Sequence, residues 1–299
     1  MAGGLKMRMT AVRFLVGVGL LSTAVVVGCA SAFAAALGKP EPWQINMQLP
    51  ASTVAYGIHH FHTLLTVLIT LITVFVLGLL VVVMVRFNAR AHPVPSRTTH
   101  NTMIEVLWTI IPVIILLAIA VPSFRLLYLQ RVIPAGDMTV KVTGNKWYWS
   151  YEYPDHAGVA FDSNILSDED AEKTGQPRHL AADNPMVVPL GKTVRLIVTA
   201  SDVIHAWTVP SFGSKIDAVP GRLNEEWFNV DQPGIYYGQC SELCGKDHAF
   251  MPIMVRVVPE AEFNTWIETA KTAGVEAANR MFAALPEPQR QSLAAAAAE

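Results

Sequence analysis

The sequence predicts a two-helix transmembrane hairpin followed by an all-β sandwich or barrel. Two long apolar runs without a charged residue predict the hairpin. A series of short β-branched and aromatic segments, broken by Gly and Pro, predicts the β domain. A third observation, a group of soft metal donors near the end of the β region, says what that domain carries. The 299-residue chain is 52% hydrophobic and 15% charged. Ordinary soluble domains have about 25% charged residues, and here the apolar excess is concentrated in the N-terminal half.

Residues 1–36 have the layout of a secretory signal. Lys6, Arg8 and Arg13 form a basic start, Phe14 to Gly28 a short apolar stretch, and Cys29-Ala-Ser-Ala-Phe-Ala-Ala-Ala a run of small residues with A-x-A spacing. Cleavage between Gly28 and Leu37 is expected. Lipidation at Cys29, after Val-Val-Gly, and retention as a third membrane helix are the alternatives. Residues 37–63 are expected outside the membrane, with His59, His60 and His62 at its interface.

The hairpin is expected over 64–127. Leu64 to Val85 and Val106 to Phe124 carry no charge. At ~1.5 Å per residue they measure roughly 33 and 28 Å, close to the ~30 Å hydrocarbon core. Soluble helices of this length rarely lack a polar stripe. Pro112 is tolerated in a membrane helix when neighbours satisfy the freed carbonyl. The loop between the runs holds Arg86, Arg90 and Arg97, with no acid before Glu105. Short basic loops stay in the cytoplasm, so both flanks face outward. The expected location is a bacterial inner membrane, with two spans and a periplasmic C-terminal domain.

Residues 128–260 read as β. Met138-Thr-Val-Lys-Val-Thr alternates, Trp147-Tyr-Trp-Ser-Tyr-Glu-Tyr is aromatic, and Val187 to Thr199 is β-branched with a turn at Gly191-Lys192. Glu226-Trp-Phe-Asn-Val, Gly234-Ile-Tyr-Tyr-Gly and Ile253-Met-Val-Arg-Val-Val add further strands. Ser163 to Asp183 is a polar, acidic excursion. Residues 261–299 are expected to be a helical segment and a loose tail. From Gln130 to Glu299 there are 22 acidic and 14 basic residues. That balance attracts a basic partner and speeds its encounter; no nucleic-acid partner is expected.

The donor group is Cys240-Ser-Glu-Leu-Cys244-Gly-Lys-Asp-His248-Ala-Phe-Met251. An extracytoplasmic cysteine pair is ordinarily a disulfide, but with three residues between the cysteines the bridge would close a very small loop. A structural zinc takes four N or S ligands without Met. A mononuclear blue copper takes one Cys, two His and a weak Met. Two cysteines can instead bridge two copper ions. His205, in Asp202-Val-Ile-His-Ala-Trp, is the best candidate for the second imidazole, although a lone His on an apolar strand is more often a satisfied core residue. His156 and His179 lie in polar loops and fit less well.

Four motifs carry a specific resemblance. They are Gly144-Asn-Lys-Trp-Tyr-Trp-Ser-Tyr-Glu-Tyr-Pro, Asp202-Val-Ile-His-Ala-Trp, Asp217-Ala-Val-Pro-Gly-Arg-Leu-Asn, and Tyr237-Gly-Gln-Cys-Ser-Glu-Leu-Cys-Gly-Lys-Asp-His-Ala-Phe-Met-Pro. Together with the topology they resemble subunit II of cytochrome c oxidases, in the haem–copper oxidase superfamily, over roughly Pro50 to Trp266. The resemblance implies a cupredoxin-like barrel with a dinuclear copper centre, CuA, held by His205, Cys240, Cys244, His248, Met251 and the backbone carbonyl of Glu242. It implies that electrons from cytochrome c arrive at Trp147 and pass to haem in subunit I, where oxygen is reduced with proton pumping. It further implies that the Glu242 side chain binds Mg2+ or Mn2+ shared with subunit I, and that Glu105 lies at the mouth of a proton pathway. The implied partners are subunits I and III, cytochrome c and membrane lipid. Glu152, Asp155, Asp202 and Asp217, in or beside the motifs, are the expected docking acids. The family usually has His-Gln before the tryptophan, where this chain has Asn145-Lys146.

Three rival readings fit less well. The related quinol oxidase subunit lacks the copper ligands. A nitrous oxide reductase would need a large further catalytic domain. The two-cysteine loop disfavours a simple blue copper carrier.

Overall fold

The computed structural model describes residues 38–94 and 96–283. The expected signal segment, Cys29 and residues 284–299 of the expected tail lie outside them.

Two long helices, α1 (Thr53–Arg86) and α2 (Thr102–Arg131), form an antiparallel hairpin. Both are longer than the uncharged runs in the sequence, because polar residues at either end continue the helical ladder. His59, His60 and His62 therefore lie inside α1 rather than ahead of it. At 34 residues, α1 measures about 51 Å at ~1.5 Å per residue, well beyond the ~30 Å core. Its first turn docks on the β domain. Ser52 accepts a hydrogen bond from Ala55 N at 3.0 Å and donates to Phe212 O at 2.6 Å, so one hydroxyl both caps the helix and pins it. The far end of α2 is held by Trp227 Nε1, which donates to Leu129 O at 3.3 Å. The β domain thus sits at one end of the hairpin and the arginine-rich loop at the other. Between them, Leu, Val, Ile and Phe side chains are exposed along both helices, as membrane spans require.

The β domain has ten strands: β1 (Met138–Asn145), β2 (Tyr148–Glu152), β3 (Ala160–Ser163), β4 (Met186–Pro189), β5 (Thr193–Ala200), β6 (His205–Val209), β7 (Ser214–Ala218), β8 (Asn224–Asn229), β9 (Gly234–Gln239) and β10 (Pro252–Val258). They form a five-stranded sheet in the order β3-β2-β1-β5-β8, a three-stranded sheet β4-β10-β9, and a β6-β7 ribbon. β1 pairs with β5, and β4 with β10, in parallel; the other pairs are antiparallel. Alternation along β1 and β5 turns Val140, Val142, Val194, Leu196 and Val198 inward. There they meet a core that includes Trp149, Trp207, Phe212, Phe228 and Tyr236. The excursion after β3 contains a short acidic helix, α3 (Asp168–Thr174), and helices α4 (Glu260–Ala273) and α5 (Val275–Ala283) follow β10. The division between α4 and α5 falls at Gly274, whose φ is 88°.

The site depends on one close backbone approach. A Cβ on Gly238 would lie 1.8 Å from Thr208 O, so only glycine lets β9 press this closely against β6. β6 begins at His205, and β9 leads directly into Cys240.

Candidate metal centre

The donors come from two places. His205 opens β6. Cys240, Cys244, His248 and Met251 lie on the β9–β10 connection, which includes a 3-10 turn at His248–Phe250. The connection is tied down by backbone bonds from Ser241 N to Ala206 O at 3.0 Å and from Cys240 N to Met251 O at 3.3 Å. Trp149 Nε1 also donates to Met251 O at 3.3 Å. These bonds fix the donor loop on strands rather than on solvent.

All the donors expected from sequence converge. Cys240 Sγ lies 3.9 Å from Cys244 Sγ, 3.9 Å from His205 Nδ1 and 3.3 Å from Glu242 O. Cys244 Sγ lies 3.5 Å from His248 Nδ1 and 3.5 Å from Met251 Sδ. Both cysteines are buried, free thiols. The ligand atoms of His205, Cys240 and Cys244 all fall within 4.8 Å of one another. Two donors each about 2.2 Å from one ion at near-tetrahedral angles would be about 3.6 Å apart, so these separations suit shared metal ions. Six donors around two facing sulfurs exceed what one tetrahedral ion takes. Three of the six are sulfur and two are imidazole, a soft set suited to copper.

The electrostatics are those of thiolate and imidazole. Burial opposes the Cys240 thiolate, but hydrogen bonds from His205, Ala206 N and Glu242 outweigh it and bring the thiol below its usual range. Burial, together with the neighbouring Cys240 charge, pushes the Cys244 thiol up. A divalent or monovalent copper ion would relieve this repulsion between the two sulfurs.

His205 is fully buried and closely held. Its Nε2 lies 2.9 Å from Asp202 Oδ1, leaving Nδ1 facing Cys240. Asp202 also accepts from Lys146 N at 2.8 Å and Val203 N at 2.6 Å. Burial works against the Asp202 charge, but these bonds more than offset it and hold the carboxyl below its ordinary range. On the other side, a Cβ at Gly144 would lie 2.9 Å from His205 Cδ2, so the ring rests on bare backbone.

The remaining expected residues are distributed around this cluster. Trp147 is half-buried beside the loop; its Nε1 is buried and has no hydrogen-bond partner among the described residues. A Cβ at Gly245 would come within 3.0 Å of its ring. The Glu242 side chain is exposed. Glu152 pairs with Lys141 at 2.8 Å, and Asp155 accepts from Thr139 N at 2.6 Å. Asp217 lines a cleft of about 510 Å³ with Arg131, Lys215 and Arg222. Glu105 lies in the first turn of α2, at the opposite end of the hairpin, where it accepts from Asn101 N at 3.2 Å. His156 and His179 meet the rings of Phe263 and Phe250 edge-on, outside the donor set. Sequence reasoning counted Asp202 as a surface acid. Its three-residue offset from His205 was the available signal for the bond it makes.

Residues 138–258 match the family "Cytochrome C oxidase subunit II, periplasmic domain", and residues 40–126 match "Cytochrome C oxidase subunit II, transmembrane domain". The chain is 51% identical over 246 residues to the "Probable cytochrome c oxidase subunit 2" of Rickettsia bellii, covering 82% of this chain and 91% of that one. It is 44% identical over 252 residues to the cytochrome c oxidase subunit 2 of Cereibacter sphaeroides, covering 79% and 83%. A solved periplasmic domain of subunit II of cytochrome oxidase (CoxB) of Bradyrhizobium japonicum is 56% identical, with a TM-score of 0.45, covering 48% of this chain and 99% of that one. The two family matches and the Rickettsia and Cereibacter relatives show that the chain belongs to the cytochrome c oxidase subunit II family, a component of the respiratory oxidase.

Proposed function

We propose that the chain is the electron-accepting subunit of its oxidase. Trp147 receives electrons from cytochrome c, and the chain delivers them to haem in subunit I, where oxygen reduction is coupled to proton pumping. The observation that carries this reading is the convergence of six donors around two facing, unbridged thiols. His205, Cys240, Cys244, His248, Met251 and the Glu242 carbonyl would hold a dinuclear CuA centre. When bound, it would supply a one-electron carrier.

The chain's own residues supply rigidity and access. Asp202 and Gly144 hold the His205 ring from two sides, and Trp149 ties the Met251 end of the loop. Such support keeps ligand positions fixed through a redox cycle. Trp147, packed on Gly245 next to Cys244, is partly open to solvent. The Glu242 side chain is exposed and would bind Mg2+ or Mn2+ together with subunit I. Glu152, Asp155, Asp202 and Asp217 contribute negative charge to the docking face. Glu105 sits at the entrance of a proton pathway in subunit I, which with subunit III surrounds the hairpin in membrane lipid. The positive loop at residues 86–97 supports a cytoplasmic turn and a periplasmic β domain in a bacterial inner membrane. Residues 1–36 act as the signal, the segment from 37 lies outside, 64–127 carries the hairpin, 128–260 the copper domain, and 261–299 the helical end and tail.

Copper reconstitution of the full chain in detergent tests the reading. Two coppers per chain, a purple colour and an EPR signal from one unpaired electron shared by two copper nuclei are expected, and Cys240→Ser abolishes that signal. A colourless protein that binds only zinc overturns it.

A further inference from the structure

Near the β domain, the membrane hairpin holds a groove of about 360 Å³ between α1 and α2. Phe61 and Leu64 of α1 and Pro122 and Leu126 of α2 give it apolar walls, and His60 and Arg125 also line it. Its volume is in the range of ligand pockets, ~300–1,000 Å³. The helices approach closely beside it: a Cβ on Gly57 would lie 3.0 Å from Leu126 Cδ1.

The depth of Arg125 follows from α2 itself. Val106 to Phe124 carries no charge, so Glu105 and Arg125 bound the span. They lie ~30 Å apart along the helix at ~1.5 Å per residue, which matches the ~30 Å hydrocarbon core. With Glu105 at the arginine-rich loop, Arg125 falls at the level of the lipid headgroups on the β-domain side. Arg125 is exposed and has no ion pair or hydrogen bond among the described residues. No carboxylate is among the residues that line its groove. Arg131, two turns further on, differs in this respect, because it shares its cleft with Asp217, Glu225 and Glu226. The groove therefore joins an uncompensated cation to apolar walls at a membrane boundary, and basic pockets between membrane helices suit anionic headgroups.

We infer that the groove binds one anionic phospholipid, with its phosphate at Arg125 and His60 and an acyl chain against Phe61, Leu64, Pro122 and Leu126. The guanidinium offers paired N–H donors to phosphate oxygens, and the imidazole offers one more. Such a lipid is a resident of the hairpin, distinct from the bulk bilayer around it.

The test uses purified oxidase, delipidated in detergent and titrated with phosphatidylglycerol, with bound lipid counted by native mass spectrometry. Haem and copper per complex check that each variant assembles. Arg125→Gln removes a charged hydrogen bond and should bind one lipid fewer at limiting concentration, through an affinity loss of about tenfold. Arg125→Lys keeps the charge and should stay within about threefold of the parent. Leu64→Trp fills the groove, leaves the charge in place and should lose the same lipid. Phosphatidylcholine with the same chains, neutral overall, should bind this site about tenfold more weakly, and excess glycerol 3-phosphate should not displace the lipid. An unchanged count in Arg125→Gln or Leu64→Trp overturns the proposal, as does equal binding of phosphatidylcholine. Displacement by glycerol 3-phosphate also overturns it, since a free phosphate has no use for the apolar walls. A cryo-electron-microscopy map of the parent oxidase needs no variant. Lipid density between α1 and α2 at Arg125 is expected there, and a subunit I side chain filling the groove overturns the proposal.

Discussion

Replacing Asp202 with Asn tests whether the proposed copper centre depends on a group outside its donor set. The carboxylate accepts three hydrogen bonds, from His205 Nε2 at 2.9 Å, Lys146 N at 2.8 Å and Val203 N at 2.6 Å. An amide of the same shape has one oxygen. Its NH2 group must face either Lys146 N–H or the pair formed by His205 and Val203, so at least one donor confronts another donor. Leaving such a bond unmade costs about 1–3 kcal/mol. The His205 imidazole also loses the anion that orients it, and losing such a support typically weakens metal affinity about 10–100-fold. Copper affinity of the Asp202→Asn chain, measured by competition with a calibrated chelator, should fall within that range, and its thermal midpoint should drop by several degrees. Parent-like values for both would mean that the Asp202–His205 bond contributes nothing to the centre, and the account of how His205 is held would fail.

Two further outcomes follow from neighbouring geometry. Gly144→Ala places a methyl 2.9 Å from His205 Cδ2; overpacking of this kind costs about 1–3 kcal/mol and should lower the copper retained per chain after dialysis against chelator, whereas full retention would show that the ring has room to move. Glu226 is raised to about 7 by burial, against the opposing bonds from Ser214 and Lys215 N. The native chain therefore holds this proton more tightly than the unfolded chain. Its contribution is fully present below the ordinary value of 4.5 and is lost as pH rises toward 7, a fall on the order of 2–3 kcal/mol. In denaturant titrations from pH 4.5 to 8, the stability difference between parent and Glu226→Gln should shift across that window in favour of Gln, and parallel curves would refute the assignment.

The candidate donors were legible because most of them are contiguous. Cys240 to Met251 is one short loop, and the chemistry of its side chains speaks without a fold. The hairpin was legible for a similar reason, since hydropathy is a local property. Its ends were not. Ser52 and Asn101, which start the two helices, are ordinary polar residues until the β domain or the adjacent turn supplies their partners, so the uncharged runs understated both helices.

The contacts that complete the site join residues far apart in the chain, and no local pattern announces them. Lys246 comes to lie 5.4 Å from the Trp147 ring centroid only because the β9–β10 connection folds over the turn between β1 and β2. Asp202 shows a different failure: its spacing from His205 was visible, but an acid near a docking motif and an acid bonded to an imidazole look alike in sequence. Gly238 is the strongest case. It reads as one glycine before Gln-Cys, yet Thr208 O occupies the space its side chain would need. Without that approach, β6 and β9 could not come this close, and His205 would stand away from Cys240. The full donor set is thus carried partly by a residue with no side chain at all.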